Sequence, residues 1–280
     1  MINVDSYNKN AFEFYKKVCQ KKRNPDVDPN YKNRLLELDV NIGQFFDNYD
    51  LAFSGNLLEN LNPYGYVNPN ADDLCKLYKY SSATLQKLKT IVTTTKNGRK
   101  VQCQNCTMNE VNSLDHLLPK EKFPEFAVNP KNLFPCCSKC NSYKGDLWRD
   151  NGVRTSLNLY IDSLPHVQYL FVNVEIGNSY METDFFLDNK NGINEKLYEL
   201  ISSHYNNLHL LERFSEAADD VITSFKHIVE SARDKLTLLE TRHLSKSIIE
   251  KEKTAFGSNY WQSILKLALI DNDDFLIEFD

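Results

Sequence analysis

Apolar residues follow helical spacing over most of this chain, and in one place β-branched and aromatic residues cluster as in a strand. Through the first 80 or so residues the pattern predicts mainly helix. It begins with an amphipathic segment, MINVDSYNKNAFEFYKKVCQKKR, and continues through Leu35, Leu36, Leu38 and Val40, then Leu51, Leu57, Leu58 and Leu61. Loops interrupt at Asn24-Pro25-Asp26 and Asn62-Pro63-Tyr64-Gly65. A further helix is predicted from Ser82, its cap, through Leu85, Leu88 and Ile91, ending before a turn at Asn97-Gly98. Ser156 to Leu164 reads as a short helix or strand. His166 to Ile176, rich in β-branched and aromatic residues, precedes Gly177-Asn178-Ser179 and YMETDFFLD, which predicts a β-hairpin near 166–188. Val221, Phe225, Ile228, Val229, Ala232, Leu236 and Leu239 then form one apolar stripe, either core or a packing face for a partner. The chain closes on an acidic stretch, IDNDDFLIEFD.

Between about 98 and 150 this periodicity disappears and Asn, Pro and Cys take over. A segment that cannot bury a periodic apolar face needs another device to hold it, and bound metal is one. The expected fold class is therefore α+β: a small metal-held centre, mainly helical regions on either side, and the hairpin. The expected division is 1–84 helical, 85–155 central, and 156–280 hairpin plus helices. A hydrophobic share of 41% and a charged share of 25% are ordinary for a soluble globular chain. No stretch approaches the ~18 uninterrupted apolar residues of a membrane span, and the N-terminus lacks the apolar core of a signal peptide. A cytoplasmic protein is expected.

The formal charge of −5 does not by itself suggest a nucleic-acid binder; its distribution fits either a phosphate-contacting site or a chance run of solvated charge. From Lys87 to Arg154 there are 12 Lys/Arg against 6 Asp/Glu, so a basic middle sits within an acidic chain. A confined phosphate-contacting site has that signature.

Five of the seven cysteines fall between Cys103 and Cys140, with no secretion signal, which favours metal binding over a disulfide framework. Cys103-Gln-Asn-Cys106 and Cys137-Ser-Lys-Cys140 are two C-x-x-C knuckles. Two residues between thiols let one tight turn aim both sulfurs at one ion, and two such turns complete a tetrahedral zinc site. Four thiolates leave no open position, so this Zn²⁺ would be structural. Cys136 is out of register with the knuckles, and Cys19 and Cys75 read as core.

Between the knuckles lie Asp115 and His116. Asn132 follows sixteen residues after His116, Asn141 nine residues further, directly after the last cysteine, and then Lys144. The carboxylate of Asp115 suits a hard divalent cation, and the amide oxygen of Asn141 is a second hard donor. An imidazole such as that of His116 can take a proton from water near neutral pH. This run, D-H-x-x-P … N-L-x-x-x-C-x-x-C-N-x-x-K, resembles the HNH nuclease motif, the ββα-metal or His-Me finger fold, in its zinc-knuckle form. The resemblance covers Val101 to Asp150, under a fifth of the chain. It implies an endonuclease in which His116 is the general base, Asp115 and Asn141 hold one Mg²⁺ or Mn²⁺, and Asn132 braces the loop that aims His116. Lys144 would contact phosphate, and Cys103, Cys106, Cys137 and Cys140 would hold zinc. The expected reaction is single-metal hydrolysis of DNA, leaving 5′-phosphate and 3′-hydroxyl ends. Many members of the family have His where Asn141 stands. Asparagine still suits Mg²⁺ there and disfavours softer metals.

The other histidines, His166, His204, His209, His227 and His243, lack ligand partners in sequence and read as structural. Phe123 and Phe126, among Lys120, Lys122 and Lys131, read either as a DNA-facing loop or as the small core of the central unit. Trp148 and Arg149 are candidates for backbone contacts. Free-standing bacterial proteins of this family and size are often effectors of anti-phage systems, paired with an ATPase or sensor subunit, so such a partner is expected beside DNA. The competing expectations are a non-catalytic zinc knuckle that binds nucleic acid or protein, and a subunit silent until its partner signals.

Overall fold

The computed structural model describes residues 1–177 and 180–277. The chain is α+β and divides into two compact units, Asn3–Ser163 and Leu164–Asp280, the latter joined by Met1–Ile2.

In the first unit, α1 (Ala11–Gln20) is capped by Asn10, whose side chain accepts from Glu13 N at 2.8 Å. The long α2 (Tyr31–Ser54) buries Leu35, Leu38, Ile42, Phe46, Tyr49 and Phe53, which recur at steps of three and four. The apolar stripe expected here is therefore displaced, since Leu36 and Val40 face outward at 60% and 84% exposure. Helix also ends partway through the second expected run, after Leu51 and before Leu57. Asn56 turns the chain with φ +53°, and Leu58–Asn60 forms only a 3₁₀ turn. After α3 (Asn70–Cys75) comes α4 (Ala83–Thr93), capped by Ser82 as its sequence predicts. Leu85, Leu88 and Val92 form its buried face, and Ile91 is exposed instead.

Next come β1 (Ser113–His116), β2 (Leu133–Cys136) and α5 (Ser138–Lys144). The strands pair antiparallel from Ser113↔Cys136 to His116↔Leu133. Short strands β3 (Arg149–Asp150) and β4 (Val153–Arg154) form a tight ribbon. Ser156 to Leu164 is irregular, neither helix nor strand. Its order comes from Asp162, which accepts from Asn158 N at 2.6 Å and from Arg154 Nη2 at 2.7 Å. An isolated stretch of backbone is held in this way where no ladder satisfies its polar groups.

Phe126 connects α2 to the loop between β1 and β2. It is fully buried, 4.9 Å from the Tyr49 ring and 6.1 Å from that of Phe46. Phe123 meets Trp148 edge-on at 5.4 Å. These rings are core, which settles the two expectations for Phe123 and Phe126 against a DNA-facing role. Trp148 is likewise buried rather than presented to a backbone, and Arg149 beside it donates to the carbonyl of Leu61 at 3.0 Å.

The second unit carries the expected hairpin, β5 (Leu170–Ile176) paired antiparallel with β6 (Met181–Leu187). Asn178 and Ser179 of its turn lie outside the described residues. Six helices follow among the described residues: α6 (Glu195–Asn207), α7 (Leu210–Glu216), α8 (Ala218–Arg233), α9 (Leu238–Phe256), α10 (Trp261–Asp271) and α11 (Asp273–Ile277). The predicted stripe from Val221 to Leu239 is broken between α8 and α9, where Thr237 and Glu240 build a capping box. Val221, Phe225 and Val229 are core, whereas Ile228 and Leu239 are exposed. Residues 278–280 of the acidic end lie outside the described residues. No described helix is long and apolar enough to cross a membrane.

Candidate functional site

The two knuckles converge. The sulfurs of Cys103, Cys106, Cys137 and Cys140 all lie within 4.8 Å of one another, and all four residues are buried. Four thiols at that spacing fit one tetrahedral zinc ion. One knuckle lies in a loop; the other opens α5, where Cys137 is the N-cap and its sulfur accepts from Cys140 N at 3.4 Å. Asn109 Nδ2 adds donors to Cys106 at 3.9 Å and Cys137 at 3.8 Å. Hydrogen bonds from Cys103, Cys106 and Cys140 push the Cys137 thiol well below its usual range, while the Cys103 and Cys140 thiols are pushed above theirs. Cys136, one residue before, is fully buried and is not one of the four clustered thiols.

The zinc cluster thus fastens α5 to the segment leading into β1. Along β1, side chains alternate between the two faces. Ser113 and Asp115 meet α5, while Leu114 and His116 turn the other way. The contacts follow this division. Lys144 Nζ lies 3.2 Å from Asp115 Oδ1 and 3.1 Å from Oδ2, and it donates to the carbonyl of His116 at 2.8 Å. One helical turn earlier, Asn141 Nδ2 donates to Ser113 Oγ at 2.8 Å. Fixing the nitrogen end of that amide leaves its oxygen available as a donor atom for a cation. Lys144 was expected at phosphate; it is buried and engages Asp115. Burial pushes the Asp115 carboxyl above its ordinary range, and the Lys144 ammonium pulls it back. Gly145, with φ +47°, lets the chain turn away immediately after Lys144, a conformation strained for any other residue.

His116 faces a different wall. Its Nε2 is 2.9 Å from the carbonyl oxygen of Ala127. A carbonyl only accepts, so Nε2 carries the proton and Nδ1 keeps the lone pair. The Tyr78 ring packs edge-on against the imidazole at 4.5 Å, and the Tyr78 hydroxyl donates to Leu114 O at 2.7 Å. Burial depresses the imidazole to about 4, against the opposing pull of the Ala127 carbonyl. The ring is neutral at physiological pH.

Asn132 ties down the loop that carries Ala127. Its Oδ1 accepts from Leu118 N at 2.8 Å, and its Nδ2 donates to Leu118 O at 3.0 Å and to Phe126 O at 3.2 Å. Its backbone carbonyl accepts from Leu117 N at 2.8 Å. The neighbouring lysines are engaged locally, Lys131 with Asp50 at 2.9 Å, Lys122 with Asp146 at 3.6 Å, and Lys120 with Glu121. Sequence reasoning overlooked three participants. Ser113 had a usable signal, because it stands two positions before Asp115 and shares its face of β1. Tyr78 and the Ala127 carbonyl had none, since an aromatic wall and a backbone acceptor leave no spacing to read.

No family model and no solved structure matches this chain. It is similar to Protein ea31 of Escherichia phage lambda, 25% identical over 187 residues, covering 62% of this chain and 63% of that protein. It is also similar to the Septu protein PtuB of Bacillus thuringiensis, 38% identical over 52 residues, covering 18% of this chain and 20% of that protein. The chain thus spans less than two thirds of the length of either relative.

Proposed function

We propose that this protein is a metal-dependent HNH-type endonuclease that hydrolyses DNA phosphodiester bonds. The observation that carries the reading is the fixed imidazole of His116. Its Nε2 is committed to Ala127 O and its Nδ1 is left with a lone pair, one strand position from the buried carboxylate of Asp115. A general base needs that arrangement: one nitrogen held, the other free, and no proton already aboard. The antiparallel ribbon followed by α5, closed at its base by four thiols that fit zinc, supports the same reading.

In this scheme His116 Nδ1 accepts a proton from water as the water oxygen bonds to phosphorus. The bond from phosphorus to the 3′ oxygen breaks, leaving a 5′-phosphate and a 3′-hydroxyl. Asp115 and the amide oxygen of Asn141 are the hard donors for one Mg²⁺ or Mn²⁺, an oxygen set suited to such ions. When bound, the cation supplies electrostatic stabilisation of charge on the phosphate oxygens. Asn132 keeps the Ala127 carbonyl, and through it the imidazole, in place. The 52-residue likeness to a Septu protein supports a role within a multi-component system. We place the nuclease in anti-phage defence with a sensor or ATPase partner.

One observation favours a second reading, a zinc-knuckle module that binds without turnover: the Asp115 carboxylate already holds the Lys144 ammonium. Plasmid cleavage in Mg²⁺ or Mn²⁺ by wild type and His116→Ala separates the two. The nuclease reading expects cutting by the wild type alone, with equal zinc content in both proteins. Binding of DNA by both without cutting establishes the module instead.

A further inference from the structure

The pairing of Lys144 with Asp115 is unusually complete for one lysine. Its ammonium sits nearly equidistant from both carboxylate oxygens, at 3.2 and 3.1 Å, and also donates to the carbonyl of His116 at 2.8 Å. The Lys144 side chain is 4% exposed and that of Asp115 is 6% exposed, so water screens the pair very little. Asn141, one turn back on the same face of α5, is held to Ser113 and so keeps its distance from this contact.

A carboxylate whose two oxygens both contact one ammonium offers a second cation only its remaining lone pairs, beside a group of like charge. A divalent ion on Asp115 would stand within a few ångströms of a like-charged group, which costs heavily in a dry site. We propose that Lys144 is a resident counter-ion that a divalent cation must displace from Asp115, so that the site resists metal until the ammonium finds another anion. A phosphodiester is that anion by its chemistry: it takes up the lysine and adds negative charge beside the cation. Lys144 is in this sense a positioning residue, holding Asp115 in register before substrate arrives and making metal binding conditional on substrate. The inference rests on the reading of Asp115 as a metal ligand.

Calorimetric titration of Mn²⁺ into zinc-loaded protein tests it, using wild type, Lys144→Met, Lys144→Gln and Lys144→Met combined with Asp115→Asn. Zinc content and circular dichroism serve as the fold check. Removing the ammonium should tighten Mn²⁺ binding on the order of tenfold or more, and adding Asp115→Asn should lose this binding. Lys144→Gln retains hydrogen bonding without charge and stands in if Lys144→Met fails to fold. A measurement on the wild type is independent of both variants. Mn²⁺ should bind the wild type more tightly in the presence of a non-hydrolysable phosphodiester than in its absence. Equal or weaker Mn²⁺ binding by both lysine variants, or a wild-type Mn²⁺ affinity unchanged by the phosphodiester, overturns the counter-ion while leaving the endonuclease reading intact. Mn²⁺ binding by Lys144→Met combined with Asp115→Asn equal to that of Lys144→Met alone removes Asp115 as a ligand, and both readings fall with it.

Discussion

Asn132 closes a two-way hydrogen-bond pair with the backbone of Leu118, accepting from its N–H at 2.8 Å and donating to its carbonyl at 3.0 Å. Fourteen residues of loop are spanned by one side chain that is itself fully buried. Asn132→Ala strands the Leu118 amide and carbonyl, and each unpaired buried group costs about 1–3 kcal/mol. The variant should lose on the order of 3 kcal/mol of stability, read as a lower urea midpoint at unchanged slope. A loss under about 1 kcal/mol would mean that water or a shifted loop replaces the amide.

The same bracing governs His116, because the Ala127 carbonyl that holds its Nε2 lies inside that loop. His116→Ala should cut the cleavage rate by about 10²–10⁴-fold, the usual contribution of a general base, with zinc content unchanged. Residual cutting within a few-fold of wild type would place the base elsewhere.

Its pH behaviour follows from burial. The folded imidazole is depressed to about 4 from an ordinary 6.5, so it is neutral throughout the neutral range. Cleavage should therefore show no acid limb near pH 6.5. A bound divalent cation pushes the imidazole further in the same direction. For stability the sign is that of a depressed base. Its contribution is fully present above pH 6.5 and is lost as pH falls toward about 4, where the unfolded chain takes up the proton first. Between pH 7 and pH 4.5 the wild type should lose more stability than His116→Gln, by roughly 2 kcal/mol. Parallel pH curves for the two proteins would refute a buried neutral imidazole.

Ser113→Ala releases the Asn141 amide without touching the strand pairing of β1 and β2. The stability change should stay within about 1 kcal/mol, the worth of one ordinary hydrogen bond. Cleavage should nevertheless fall, with a larger Mg²⁺ requirement, because the amide loses its fixed orientation. Ser113→Thr, which keeps the hydroxyl, should restore it. Identical Mg²⁺ dependence in all three proteins would detach Ser113 from the site.

For the thiol cluster, Cys137→Ser removes one of the four sulfurs that fit zinc, which is also the N-cap of α5. Zinc should drop from about one per chain to a fraction of that in metal analysis, and the first unit should melt at a lower temperature. Full zinc retention by Cys137→Ser would exclude the sulfur as a ligand.

Much of this site is legible from spacing alone. Two C-x-x-C pairs announce a cluster because two intervening residues dictate one tight turn, whatever surrounds it. The Ser82 cap and the β-branched and aromatic run from His166 to Ile176 are local in the same sense, and the helix and the hairpin stand where those patterns put them. Faces were less legible. Leu36, Val40 and Ile91 belong to apolar runs, yet the stripe that is buried passes through Leu35, Leu38 and Ile42, and through Leu88 and Val92. Adjacent apolar residues on a helix cannot all face inward, and packing decides which do.

What the sequence by itself determined is the chemistry on offer: four thiols, an Asp-His pair, two asparagines and a lysine, all within one segment whose neighbours carry helical periodicity. Only the tertiary structure decided how that chemistry is wired. It gave Asp115 to Lys144, His116 to the Ala127 carbonyl and the Tyr78 ring, and Asn132 to the Leu118 backbone. The reason is physical. Periodicity and spacing report contacts within a turn or two of backbone, whereas each of these partners lies eleven or more residues away and includes backbone atoms common to every residue. Burial then makes such a contact matter, because an ion pair or an imidazole excluded from water has no other partner to choose.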